Sequence, residues 1–191
     1  MNFKIRDMIL ISMFASLTAI GAFIKIPTPI VPFTLQFLFC AYAGIFLGAK
    51  HALYSQLLYV GIGLIGIPIF ANGGGPTYIF QSTFGYLIGF IVCSFIIGKL
   101  TEKIKKVTFI KIFIPVLIGL FFVYLFGVSY LYMIVNVYLN KSMSVKAAIL
   151  AGFTPYITSD LILSIIIAYT SVYIIPTLRK TGLNKGYLGG K

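Results

Sequence analysis

The chain has 191 residues, of which 60% are hydrophobic and only 9% charged, and its mean hydropathy is +1.05. These values lie far outside the range of a soluble globular domain and describe a polytopic membrane protein. The net charge of +12 then orients the chain and meets anionic lipid heads, and nucleic-acid binding, its other common meaning, finds little support.

A bilayer core about 30 Å thick takes about 20 apolar residues per helix. Six runs answer that need: 8–24, 33–48, 52–70, 78–98, 109–135 and 155–175. The second is short for a span. The fifth is long and holds Pro115 and Gly127, which predicts a kink or an exit from the bilayer before Val135. Lys4 and Arg6 ahead of the first run imitate a secretion signal. The apolar stretch continues through Phe23 and Ile24, so the helix is expected to stay.

Charge placement tests the six-span count independently, because basic residues concentrate in short cytoplasmic loops. With both termini inside, the cytoplasmic set is Lys4, Arg6, Lys50, Lys99, Lys103, Lys105, Lys106, Lys111, Arg179, Lys180, Lys185 and Lys191, against Lys25, Lys141 and Lys146 outside. The expected architecture is an all-α membrane protein of six transmembrane helices with both termini cytoplasmic, forming a single domain over 1–191, since neither a repeat nor a long linker divides it.

Three loops share the predicted outer side. The first, 25–36, carries Pro27, Pro29 and Pro32, which favour an extended backbone that can lie across helix ends. The second, 71–77, holds Gly73, Gly74 and Gly75, able to bring backbone amides close to a ligand. The third, 136–154, contains a short helix over 145–151 begun by Ser144. Pro and Gly taken singly only punctuate helix ends, and it is their convergence with Asp160 that points to a binding site.

Asp160 is one of three acids and lies inside the last apolar run, about one and a half turns from its outer end. A carboxylate at hydrocarbon depth costs roughly 2.5–3.5 kcal/mol on insertion scales and marks a functional site by default. Lys, Arg and His are scarce in the apolar runs and the single His51 sits at a boundary, so a ligand is a candidate partner. With convergent helices a small solute meets Thr34, Gln36, Tyr42, Asn72, Gln81, Tyr86 and Asp160, whereas most tyrosines are expected in interfacial belts.

Catalytic sets are missing. No GxxxxGK[ST] loop, HExxH, carboxylate pair or Ser-His-Asp set occurs, and Cys40 and Cys93 fall in separate spans as buried thiols. The inventory suits recognition, with no cofactor or metal implied. Gly44-Ile-Phe-Leu-Gly48, Gly85-Tyr-Leu-Ile-Gly89 and Ala15-Ser-Leu-Thr-Ala19 are small-xxx-small patterns of helix packing. Asn140-Lys-Ser142 is a weak glycosylation sequon.

Three stretches resemble the BioY family, the biotin-binding S components of energy-coupling factor (ECF) vitamin transporters. Ile26-Pro-Thr-Pro-Ile-Val-Pro-Phe-Thr-Leu-Gln36 with Leu47-Gly-Ala-Lys50 is similar to the family's proline loop and LG-x-basic turn. Tyr59-Val-Gly-Ile-Gly-Leu-Ile-Gly-Ile-Pro-Ile-Phe70 with Gly85-Tyr86 resembles its glycine-rich helix end, and Phe153-Thr-Pro-Tyr-Ile-Thr-Ser-Asp160-Leu its F-x-P-x-D-L element.

The resemblance implies an outward pocket that binds biotin, with Asp160 on the ureido group, Asn72 or Gln36 as amide partners, and Thr34, Tyr86, Gln81, Gly73 and Gly74 around them. It implies a docking face at Ala15 and Ala19 for a transmembrane coupling subunit, energised by two cytoplasmic ATPases. The chain departs from the family in carrying Leu163 where a lysine commonly follows the aspartate, and Gly127-Val-Ser-Tyr130 where a tryptophan often stands. Lys25 or the Gly73–Gly75 amides are alternatives for holding the ligand carboxylate. The competing readings are a small proton-coupled secondary carrier using Asp160 and an S component for another biotin-like molecule.

Overall fold

The computed structural model describes residues 4–26 and 30–180. Pro27 and Pro29 of the first loop, and Lys185 and Lys191 of the basic set, lie outside the described residues. In chain order come α1 (Ile5–Phe23), a two-stranded ribbon β1 (Lys25–Ile26) and β2 (Phe33–Thr34), α2 (Gln36–Ile65), a 3-10 turn (Pro76–Phe80) and α3 (Phe84–Thr101). Then follow α4 (Phe109–Met133), which continues into a π turn (Ile134–Tyr138), the short α5 (Val145–Gly152) and α6 (Thr154–Lys180). Among the described residues five helices are long and apolar enough to cross a membrane, and the sixth crossing is hidden inside α2.

Gly48 resolves the difference. It breaks the helical path of α2 with φ 74° and ψ 173°, a region that only glycine enters readily. Gln36 Nε2 donates to Tyr59 Oη at 2.8 Å, whereas a straight helix holds residues so spaced roughly 34 Å apart at 1.5 Å per residue. The two limbs, 36–47 and 49–65, therefore run antiparallel and are the second and third spans. The first limb rises only about 18 Å, in keeping with its short apolar run.

Glu102 at the end of α3 locks that turn, since its Oε1 accepts the Ala49 N–H at 2.7 Å and would lie 2.8 Å from a Cβ on Gly48. Gly48→Ala is thus expected to destabilise the fold by about 1–3 kcal/mol, read as a lower thermal midpoint of the purified chain. Gly61→Ala, whose added methyl meets nothing within 4 Å, is the control; equal midpoints for the two variants would contradict the turn.

Packing also corrects one expectation and adds to two others. Residues 78–83 precede α3 instead of belonging to its span, because Tyr78 turns inward to 2% exposure and its hydroxyl takes a bond from Thr83 Oγ1 at 3.1 Å. Cys40 and Cys93, separate in sequence, become neighbouring free thiols where α2 meets α3. And α4 is one continuous helix through Pro115 and Gly127, with its change of geometry delayed to the π turn.

The third loop agrees with its reading: α5 starts after Ser144, whose Oγ accepts the Ala147 N–H at 3.2 Å. The glycine pairs serve internal contacts. A Cβ on Gly44 would lie 2.8 Å from Ser94 O, and one on Gly89 2.8 Å from Val123 Cα, so α2, α3 and α4 approach at backbone distance.

Ala15 and Ala19 do the same work for α1. They are 5% and 9% exposed, in one cluster with Val31, Phe37, Cys40 and Tyr59. Thr18 beside them accepts from Gln56 Nε2 at 3.1 Å. The alanine face assigned above to a partner subunit is therefore occupied by α2 of the same chain. Small-residue spacing reports that some helix comes close, and says nothing of which. The side of α1 left open is Ile9, Ser12, Met13, Ser16 and Ile20, with both hydroxyls bonded back to the helix at 2.9 Å.

Candidate functional site

A cavity of about 60 Å³ lies where the first loop, the second loop and α3, α4 and α6 meet. Its one charged lining residue among those described is Asp160, six residues into α6 and 9% exposed. Tyr124 of α4 donates its hydroxyl to Asp160 Oδ2, and among the described residues no Lys, Arg or His forms an ion pair with this carboxylate. A buried carboxylate with hydrogen-bonding capacity left over is a strong acceptor of N–H donors.

Aromatic rings make the walls. Tyr86, Phe90, Tyr124 and Tyr156 come from the helices, and Phe33 and Tyr78 from the loops. Tyr86 is anchored by donation to Gly152 O at 2.7 Å, and Tyr124 packs edge-on against Phe153 with ring centroids 4.8 Å apart. The third loop thus props up two walls from behind. Burial pushes the Tyr78 hydroxyl above its ordinary value, outweighing hydrogen bonds from Thr83 and the Asn72 backbone, so it stays neutral at the cavity.

Of the residues expected from sequence, Thr34, Gln36, Tyr86 and Asp160 line this cavity. Thr34 Oγ1 donates to Gln36 Oε1 at 3.0 Å, Gln36 to Tyr59 at 2.8 Å, and Tyr59 to Ile69 O at 3.1 Å. That relay ties the first loop to the end of α2 and fixes which Gln36 atoms remain available.

Asn72, Gln81, Gly73 and Gly74 are not among the lining residues, and Tyr42 is instead bonded to Thr170 between α2 and α6 at 2.7 Å. Asn72 and Gln81 are exposed. The glycine loop closes on its own chain: Gly73 N bonds Phe70 O at 3.2 Å, Gly75 N bonds Gly63 O at 2.8 Å, and a Cβ on Gly74 would lie 2.3 Å from Ile67 O. Its glycines permit close packing over Phe70, whose ring fills the space a Gly63 side chain would need.

Sequence reasoning missed Tyr124, Tyr156, Tyr78, Thr83 and Phe90. Tyr124 shares its helix face with Leu120, Gly127 and Leu131, all buried, at helical spacing. Because α4 is apolar all round, that face does not stand out from the lipid side, and a tyrosine there reads as a belt residue.

Known proteins resemble this chain along most of its length. The family model described as BioY family matches residues 1–180. The chain is 47% identical over 159 residues to the probable biotin transporter BioY of Lysinibacillus sphaericus, covering 83% of this chain and 81% of that protein. It is 37% identical over 164 residues to the biotin transporter BioY of Thermotoga maritima, covering 85% and 92%. The crystal structure of the S-component for biotin from an ECF-type ABC transporter superimposes with a TM-score of 0.79 at 22% identity, over 90% of this chain and 92% of that one, which establishes a shared fold. Matched by the family model over residues 1–180 and 47% identical to a relative of which it covers 81%, this chain belongs to the BioY family.

Proposed function

We propose that this multi-pass membrane protein is the biotin-capturing S component of an ECF-type transporter and binds biotin in the cavity around Asp160. The observation that carries the reading is the lone carboxylate, steadied by Tyr124 in an aromatic cavity, in a chain whose relatives are named as biotin transporters. A cyclic urea presents two N–H donors, and each bond to a charged acceptor contributes roughly 1.5–3 kcal/mol. Aromatic walls suit the apolar faces of a bicyclic ring system. Gln36 and Thr34 stand at the opposite, loop side for the remaining polar atoms.

Energy comes from partners. The subunit recognises without catalysing, and a transmembrane coupling subunit with two cytoplasmic ATPases supplies the driving force. Both termini are cytoplasmic in this reading, because Lys50, Lys103, Lys105 and Lys106 lie at the turns away from the cavity and basic loops stay inside. The cavity then faces outward.

Titration of the purified chain with biotin, dethiobiotin, lipoate and thiamin tests this. Biotin should bind tightly without nucleotide, and the chain alone should release no phosphate from ATP. Preference for lipoate or thiamin would overturn the ligand and leave the fold intact.

A further inference from the structure

Among the described residues Asp160 is the one charged side chain that lines the cavity, and Val31, Pro32 and Thr34 of the first loop and Ala71 of the second line it too. Lys25 is not itself a lining residue, but its ammonium bonds one. Lys25 pairs with Thr34 in the β1–β2 ribbon, and residues directly opposite in an antiparallel pair present their side chains on the same face. Phe33 and Thr34 both line the cavity, so the pleat selects no face, and it is the bond to a lining residue that places the lysine. Its Nζ donates to the carbonyl of Ala71, which places the ammonium at the seam between the two loops.

We infer that Lys25 is the anion-binding end of this cavity and receives the carboxylate of the ligand whose N–H donors meet Asp160. The inference rests on the biotin reading above and adds how the acid end of the molecule is held. Three observations support it. An ammonium has three donors, and none of the chain's three acids, Asp7, Glu102 and Asp160, forms an ion pair with it. Two of the three glycine-loop amides are poor rivals, since Gly73 N and Gly75 N already bond Phe70 O and Gly63 O. At position 163, Leu163 is packed against the apolar core and brings no charge to the site. A carboxylate arriving there would join the Ala71 carbonyl as a second acceptor on Lys25.

The test compares biotin with biotin amide, which keeps the ring system and chain length and lacks only the charge. Wild-type protein should bind biotin about tenfold or more tightly than the amide. Lys25→Gln should weaken biotin by a similar factor, leave the amide unchanged and so erase the preference, while Lys25→Arg should keep it. A Lys25→Gln chain that still prefers biotin, or that loses both ligands equally, overturns the inference; equal loss marks a latch between loops. Should Lys25→Gln fail to fold, the wild type alone decides, because equal affinity for biotin and its amide overturns the proposal as well. A wild-type chain that binds neither ligand refutes the biotin reading itself, which is a different outcome.

Discussion

Asp160→Asn is expected to weaken biotin binding by roughly tenfold to a hundredfold while the protein remains folded. The substitution preserves size but removes the charge and replaces one acceptor oxygen with donors, so at least one charge-assisted bond of about 1.5–3 kcal/mol disappears. Folding should survive because the change removes an intramembrane charge, which eases insertion. The Tyr124 hydroxyl, which donates to Asp160, keeps an acceptor in the amide oxygen, so no donor is stranded.

Calorimetric titration of the monodisperse variant reads the effect directly. Tyr124→Phe is the companion measurement: it leaves the carboxylate in place and removes the group that aims it, so its loss of affinity should be smaller than that of Asp160→Asn. Unchanged affinity in a folded Asp160→Asn protein would contradict the ureido contact. Retained affinity with a loss of pH-driven uptake would instead favour a proton-coupled carrier.

The double change Ala15→Trp with Ala19→Trp is expected to abolish a well-folded protein. Both alanines are nearly closed to solvent against α2, and inserting large groups into a packed site costs typically 1–3 kcal/mol each, occasionally more. The same helix contact carries the Thr18–Gln56 hydrogen bond, and the limbs of α2 beneath it hold Gln36 and Tyr59 at the cavity. Yield, thermal midpoint and biotin binding should therefore fall together.

Ser12→Trp with Ser16→Trp makes the control, since those positions face outward and should tolerate bulk with biotin affinity close to normal. If the alanine variant were instead folded, bound biotin normally and failed to co-purify with a coupling subunit, α1 would have its small face free and the packing described here would be wrong.

The contrast between these two predictions shows where sequence reading succeeds. Asp160 was legible because a carboxylate in hydrocarbon is costly wherever the helix is placed, so its importance follows from composition and position alone. Ala15 and Ala19 were legible only as a close contact. Their neighbour is chosen by how α1 sits against the limbs of α2, which is a relation between distant segments.

By itself the sequence determined the membrane class, the number of crossings, the loops that gather at one end, the start of α5 at Ser144 and the acid that lines the cavity. Each follows from a local or additive property: hydropathy over a span, charge per loop, capping chemistry, the cost of burying one ion. Only the tertiary structure decided that Gly48 folds α2 back on itself, that Tyr124 and not a cation meets Asp160, that the Gly73–Gly75 loop closes on its own chain, and that Lys25 bonds the Ala71 carbonyl. Those outcomes depend on which surfaces of different helices meet. In helices apolar on every side, periodicity does not distinguish the face turned to lipid from the face turned to a neighbour, and that choice emerges only when the whole bundle is packed.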